Sequence, residues 1–291
     1  MAKVLVVGDV MVDVVVKPEG PIAVGADTRA AIRLLHGGSG ANQACWLARE
    51  GVATTFVGRV GAADRPREKL LLAAYGVDAR LAADASLPTG TLITLLSDHD
   101  RSFLTDRAAN LNLSMDDLPA TLLDGVDLLH VSGYSLFDPK PRVAVLALFA
   151  AAALRKIPAS VDPASYSFLE EVGAENFMEW TRGARFLLPN EDEAASLTGS
   201  RDPQAQLDFL TRHHPIVAIK RGAAGAVAGD EEGGRWSAPA PPAEPVDTSG
   251  AGDAFLGGFL GAYLRGEGIS AALKRGVELG SEAVTTLGAR P

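Results

Sequence analysis

Gly250, Ala251, Gly252 and Asp253 have the residue types and the spacing for chemistry on an anion. The apolar run Phe255-Leu256-Gly257-Gly258-Phe259-Leu260 follows, with aromatics four apart, so the turn opens into a helix. A helix N-terminus leaves backbone N–H groups without partners and carries partial positive charge, and a Gly-Ala-Gly turn lets an anion approach that backbone closely. A phosphate fits that description. Asp253 would repel such an anion unless it stood there to take a proton from an attacking hydroxyl. The alternative is that Asp253 only caps or charges the first turn, while Gly257, Gly258 and Gly261 allow close helix packing.

Far upstream, Gly37-Gly38-Ser39-Gly40-Ala41-Asn42-Gln43-Ala44 offers complementary chemistry. Glycines at 37, 38 and 40 let backbone approach a ligand, and Asn42 supplies a donor and acceptors for a polyol. Asp13 stands at or just beyond the carboxyl end of a strand, the edge where open α/β sheets place ligands. An edge-strand charge is the other reading of Asp13. Polar residues also close further strands: Asp9, Ser132-Gly133, Asp162, Asn190 and Lys220.

The elements that must position these residues follow from the apolar pattern. Residues 3–7 form a continuous apolar run, expected as a central parallel strand, and valines at 10, 12 and 14 then interleave with Asp9, Met11 and Asp13 as in a half-exposed one. Short alternating runs at 28–35, 90–97 and 101–105, the last two flanking Asp98-His99-Asp100, predict a small separate sheet. An amphipathic helix over 43–49 is ended by Gly51. From 127 onward strands at 127–131, 159–161, 184–188 and 215–219 alternate with helices at 141–156, near 177–182 and from Glu191, which argues for a mostly parallel sheet covered on both faces. Residues 239–245, rich in proline and alanine, form a rigid approach loop.

With 291 residues, 47% of them hydrophobic and 22% charged, the chain can build an ample α/β core. Its net charge of −9 argues against a nucleic-acid surface, though a nest of N–H groups can still hold a small anion. The single cysteine, Cys45, excludes an internal disulfide framework and a multi-cysteine metal site; it is expected as a small buried hydrophobe. Histidines at 36, 99, 130, 213 and 214 lack metal-ligand spacing, and His213-His214 reads as a solvated loop. The N-terminal apolar run is broken too soon for a signal peptide, and the longest one, 143–154, is shorter than the ~20 residues a bilayer needs and reads as a buried helix. A soluble, cytoplasmic protein is expected. The absence of a Gly-Lys dipeptide excludes a P-loop, the absence of His-Arg-Asp with Asp-Phe-Gly excludes a protein kinase, and the lack of Gly-x-Gly-x-x-Gly after the first strand disfavours a dinucleotide-dependent dehydrogenase.

Asp247-Thr248-Ser249-Gly250-Ala251-Gly252-Asp253 together with Gly37 to Ala44 resembles the two signature segments of the ribokinase (PfkB) family of sugar and nucleoside kinases, and the likeness runs over nearly the whole chain. The resemblance implies a ribokinase-like three-layer α/β sandwich, a single kinase domain over 1–291 with a mostly parallel central sheet and a small β-sheet lid at about 10–36 and 88–107. It implies transfer of the γ-phosphoryl group of ATP to a hydroxyl of a sugar or nucleoside, with Asp253 as base, the amides of Gly250, Ala251 and Gly252 as anion hole, and Asp13, Gly38 and Asn42 holding the acceptor. Asn190-Glu191-Asp192-Glu193 resembles the family's Asn-x-x-Glu element, which positions Mg2+ through water by way of Asn190 and Glu193. The same residues read as a capped helix N-terminus, and both readings can hold together. Lys220-Arg221-Gly222-Ala223-Ala224-Gly225 resembles the strand and turn along the nucleotide, which assigns Lys220, Gly222 and Gly225 to ATP; an exposed salt bridge is the alternative for Lys220. A monovalent cation, with potassium the candidate, is implied beside Asp247 and Ser249, with C-terminal contributors near 283–288.

Ser39 stands where many family members carry lysine, which weakens a match to ribose kinases in the narrow sense, and Ala62-Ala63-Asp64-Arg65-Pro66 departs from the usual acidic pair and glycine. Two other functions stay open: a catalytically silent sugar or nucleotide sensor, and a kinase of a sugar phosphate, for which Arg101 and Arg107 are the candidate cations. The resemblance leaves room for a homodimer and does not name the acceptor.

Overall fold

The computed structural model describes residues 1–96 and 101–291, so the Asp98-His99-Asp100 segment lies outside the described residues. The strands are β1 (Lys3–Val7), β2 (Met11–Pro18), β3 (Ala30–Gly37), β4 (Ala53–Gly61), β5 (Asp78–Asp84), β6 (Gly90–Leu96), β7 (Arg101–Asp106), β8 (Leu128–Ser132), β9 (Ala159–Asp162), β10 (Phe186–Leu187), β11 (Ile216–Lys220), β12 (Ala226–Asp230) and β13 (Arg235–Ala238). Nine of them form one sheet in the order β13-β12-β11-β10-β9-β8-β1-β4-β5, parallel from β5 to β11, with β12 and β13 added antiparallel. The other four make a separate sheet, β3-β2-β6-β7.

The β1 run is apolar throughout because both of its faces are covered. Val4 and Val6 pack on one side with the helices Ser39–Arg49, Ala251–Leu264 and Gly268–Ala283. Leu5 and Val7 pack on the other with Pro139–Leu154, Tyr166–Val172, Glu191–Thr198 and Pro203–Leu210. The two-residue pleat of a buried strand thus divides the core into two layers around the sheet. β2 leaves this core almost at once: four residues beyond β1 the chain enters the small sheet, so Asp13 does not close a strand, contrary to expectation, but is the third residue of β2, which starts just past the carboxyl end of β1.

Two expectations need correction. The helix Pro139–Leu154 is not buried all round; Val143 and Leu154 are exposed, because only one face meets the sheet and small alanines fill much of the rest. His214 is not in a solvated loop: it is fully buried, its Nδ1 lies 3.1 Å from the Ala184 carbonyl oxygen, and burial pushes its pKa down to about 4. Cys45 is buried in the helix Ser39–Arg49, as expected. Among the described residues, no helix is long and apolar enough to cross a membrane.

Candidate active site

Gly250 precedes the helix Ala251–Leu264 with φ of 76°, a left-handed turn that glycine adopts without strain. The side a Cβ would occupy is filled by the C-terminal segment, 2.5 Å from the Ala289 backbone. This turn carries no side-chain cap. The Ala251 N–H lies 3.5 Å from the Thr248 carbonyl oxygen, too long to hold the donor firmly. A cation stands beside the turn, since the Lys220 Nζ would lie 3.7 Å from a Cβ placed on Gly252. Amides, helix dipole and ammonium therefore favour the same thing, negative charge at Gly250 to Gly252.

Asp253 is buried, and its carboxylate does not cap its own helix. Oδ1 accepts hydrogen bonds from Ser39 Oγ at 2.8 Å and Gln43 Nε2 at 3.0 Å, and Oδ2 accepts one from Asn42 Nδ2 at 3.1 Å. All three donors come from the helix Ser39–Arg49, so the two glycine segments of the sequence meet at this one carboxyl group. Burial pushes its pKa up to about 7 and the nearby Asp162 charge adds to that, against the pull of Asn42, Ser39 and Lys220. A carboxyl poised near neutrality is a competent proton acceptor.

The supporting groups form a connected buried network. Lys220 Nζ donates to Asp162 Oδ1 at 2.6 Å, and Gln43 Nε2 donates to Asp162 Oδ2 at 2.8 Å. Gln43 Oε1 lies 2.9 Å from Nε2 of the fully buried His130, whose pKa burial lowers to about 3; the neutral ring donates to Gln43 and fixes the orientation of its amide. Burial alone would lower the Lys220 pKa, but Asp162 and Glu193 outweigh it and hold the group above its ordinary value. The exposed-salt-bridge reading of Lys220 is thus set aside: its partner is Asp162, and the two side chains are only 13% and 6% exposed.

Asn190 and Glu193 form a reciprocal capping box. The Asn190 N–H and Nδ2 donate to the two Glu193 carboxylate oxygens, each at 2.8 Å, and the Glu193 N–H returns to Asn190 Oδ1 at 2.8 Å. Burial pushes the Glu193 carboxyl up to about 7. An isolated parallel bridge sets Asn190 beside Lys220, which brings this box to the same sheet edge. Gly222 and Gly225 hold the turn after Lys220 with φ of 52° and 84°, and a Cβ on Gly225 would stand 2.0 Å from the Ala238 carbonyl oxygen.

On the small sheet, the Asp13 carboxylate lies against Gly37, where a Cβ would fall 2.1 Å from Asp13 Oδ2. Asp13 Oδ1 is buried without a hydrogen-bond partner, and burial pushes this carboxyl up to about 7, with Asp9 adding to the shift and Arg290 opposing it. Gly38, with φ of 92°, brings its backbone so close to the β1–β2 junction that a Cβ would stand 2.5 Å from the Asp9 carbonyl oxygen. Asn42 Oδ1 accepts from Arg290 Nε at 3.2 Å. Asp162 and Gln43 stand in the strand-end and glycine patterns of the sequence without a role assigned there, whereas His130 and Arg290 were not singled out for the site, and Arg290 sits in no motif.

Asp247 Oδ1 accepts from the Ser249 N–H at 2.9 Å and Oδ2 from the Gly288 N–H at 3.1 Å, while the Val284 carbonyl oxygen accepts from the Val246 and Asp247 amides. The segment before the anion turn therefore packs on the C-terminal residues near 283–288. Among the described residues no group of three or more His, Cys, Asp and Glu side chains is arranged to hold a metal. Arg107 pairs with Asp9 at 3.3 Å and lies 4.4 Å over the Tyr134 ring, so this candidate cation is already engaged; the Arg101 side chain lies outside the described ones.

A family model described as pfkB family carbohydrate kinase matches residues 1–291. Among characterised relatives, the Bacillus subtilis ribokinase is 28% identical, over 100% of this chain and 95% of its own length. The chain superposes on the adenosine kinase of Sinorhizobium meliloti with a TM-score of 0.90 at 22% identity, covering 100% and 96% of the two chains. It superposes on a candidate ribokinase II of Escherichia coli, solved with ATP and Mg2+, with a TM-score of 0.87 at 24% identity, covering 99% and 94%. At those identities the two structures show the shared fold.

Proposed function

We infer that this chain, which belongs to the pfkB family of carbohydrate kinases and transfers a phosphoryl group from ATP to a hydroxyl of a sugar or nucleoside, uses Asp253 as the base for that transfer. The observation that carries this reading is the carboxylate of Asp253, buried beside the Gly250-to-Gly252 amides and Lys220, with its hydrogen bonds drawn from Ser39, Asn42 and Gln43 rather than from its own helix. The acceptor hydroxyl gives its proton to Asp253 as its oxygen bonds to the γ-phosphorus. The bond from that phosphorus to the bridging oxygen of ADP breaks, and the phosphoryl oxygens are neutralised by the amides of Gly250, Ala251 and Gly252 and by Lys220.

Asp13, Gly38 and Asn42 hold the acceptor, and Gly222 and Gly225 shape the turn along the nucleotide. A magnesium ion supplies charge neutralisation on the ATP phosphates. The capping box offers hard oxygen donors that suit it, and because the Glu193 oxygens and Asn190 Oδ1 already accept hydrogen bonds, contact through water is the mode they support. Asp247 and Ser249, packed on 283–288, are the proposed cradle for potassium. The small sheet, with the segments at about 10–36 and 88–107, acts as a lid that excludes water from the transferring group. Its two edge strands expose Ile32, Leu34, Phe103 and Leu104, which supports a homodimer built on this sheet.

A silent sensor would gain nothing from a buried carboxyl poised near neutrality in the anion turn. ATP turnover over a panel of sugars and nucleosides tests the reading; ligand binding without ADP release on every acceptor would favour the sensor.

A further inference from the structure

Two buried polar atoms of the acceptor region lack partners, and they are of opposite kinds. Asp13 Oδ1 can only accept from a ligand hydroxyl when ionised, and Arg290 Nη1 can only donate. Both belong to one small volume. Arg290 donates from Nη2 to the Gly37 carbonyl oxygen at 3.0 Å, and the Asp13 carboxylate lies against the same glycine. The Arg290 charge acts on Asp13, yet no ion pair joins them. Arg290 is 9% exposed, so solvent does not satisfy its third nitrogen. A guanidinium with a buried nitrogen unpaired and a carboxylate with a buried oxygen unpaired, both set against Gly37, are an arrangement a ligand completes.

We infer that Arg290 is an acceptor-binding residue which, with Asp13, reads a pair of neighbouring hydroxyls on the sugar or nucleoside: one hydroxyl donates to Asp13 Oδ1 and the other accepts from Arg290 Nη1. This rests on the kinase reading above. A phosphate group seated at this pair would satisfy Arg290 but set its charge against the Asp13 carboxyl, so the pair suits neutral hydroxyls rather than a phosphate. The same guanidinium performs a second task. By donating Nε to Asn42 Oδ1 it fixes the Asn42 amide with its nitrogen toward Asp253 Oδ2. Specificity and the placement of the base thus meet at one side chain, 248 residues from Asn42 in the chain.

The test uses D-ribose, D-fructose and adenosine, fructose 6-phosphate, and the singly deoxygenated analogues of whichever acceptor turns over. In the wild-type protein, removing either hydroxyl of one neighbouring pair raises KM by about 10- to 100-fold, the worth of a hydrogen bond to a charged group. Arg290→Ala and Arg290→Lys raise the acceptor KM by a similar factor while leaving the ATP KM unchanged, and in both variants one of those two deoxygenations costs nothing further. A variant whose acceptor KM stays at the wild-type value, or whose kcat alone falls, overturns the binding role and leaves Arg290 as a positioning residue. A wild-type acceptor KM that no neighbouring pair of deoxygenations raises, on fructose or on fructose 6-phosphate, overturns the diol assignment. Should Arg290→Ala fail to fold, Arg290→Lys and the wild-type deoxygenation series still decide. No turnover of any acceptor by the wild-type protein would overturn the kinase reading itself, an outcome distinct from failure of the Arg290 variants alone.

Discussion

Replacing Gly37 by alanine should disable the acceptor pocket without touching the nucleotide. A Cβ at this position would stand 2.1 Å from Asp13 Oδ2 and 2.4 Å from its Cγ, where ordinary contact begins at 3.4 Å. The carboxylate therefore has to retreat by about 1.3 Å or rotate away, which lengthens a hydrogen bond of about 2.8 Å beyond the range in which it holds. The Gly37 backbone itself accepts alanine, because its φ is not among the positive ones. Loss of one hydrogen bond to a charged partner is worth about 1.5–3 kcal/mol, so the acceptor KM should rise by roughly 10- to 100-fold. A coupled assay of ADP release, run against acceptor and ATP in turn, measures both constants. An unchanged acceptor KM, or an equal loss for ATP and acceptor, would show that Asp13 does not face the acceptor.

Lys220→Met should cost about 3–5 kcal/mol of unfolding free energy by leaving Asp162 buried without its cation, and should weaken ATP binding as well; a loss below about 1 kcal/mol in denaturant titration would mean the pair behaves as an exposed one. Asp13→Asn probes the raised carboxyl pKa through stability. Between its ordinary value of 3.8 and about 7, the folded state keeps a proton on Asp13 that the unfolded chain has already released, so this group's contribution to stability falls as pH rises through that window. Asparagine has no such proton, and the melting temperature of Asp13→Asn should gain on the wild type from about pH 4 to about pH 7. A constant difference across that range would place Asp13 in a solvated environment instead.

Much of the fold was legible because its signals are local. The apolar run at 3–7, the strand and helix rhythm after 127, and the short alternating runs of the small sheet each follow from the period of a single element. The two glycine segments were legible for the same reason, since a turn that must admit a ligand writes glycine into consecutive positions. What could not be read were pairings between distant residues. Nothing in Leu287-Gly288-Ala289-Arg290 announces that the guanidinium reaches Gly37 and Asn42. The burial of Lys220 depends on Asp162, 58 residues away, and the burial of His214 on the Ala184 carbonyl, 30 residues away. Ser39 looked like a departure from a lysine pattern; in the folded chain its hydroxyl is a hydrogen-bond donor to Asp253.

The proton-accepting role of Asp253 is tested most directly by Asp253→Asn, with turnover measured across pH on whichever acceptor the wild-type protein phosphorylates. Asparagine keeps the size of the side chain but cannot take the acceptor's proton, so kcat should fall by roughly 10²- to 10⁴-fold while ATP binding is retained. In the wild type, kcat/KM should rise with pH up to a limb near the carboxyl value of about 7, and that limb should be missing from the variant. A folded Asp253→Asn protein that keeps most of its turnover, with the limb in place, would contradict the assignment of Asp253 as base.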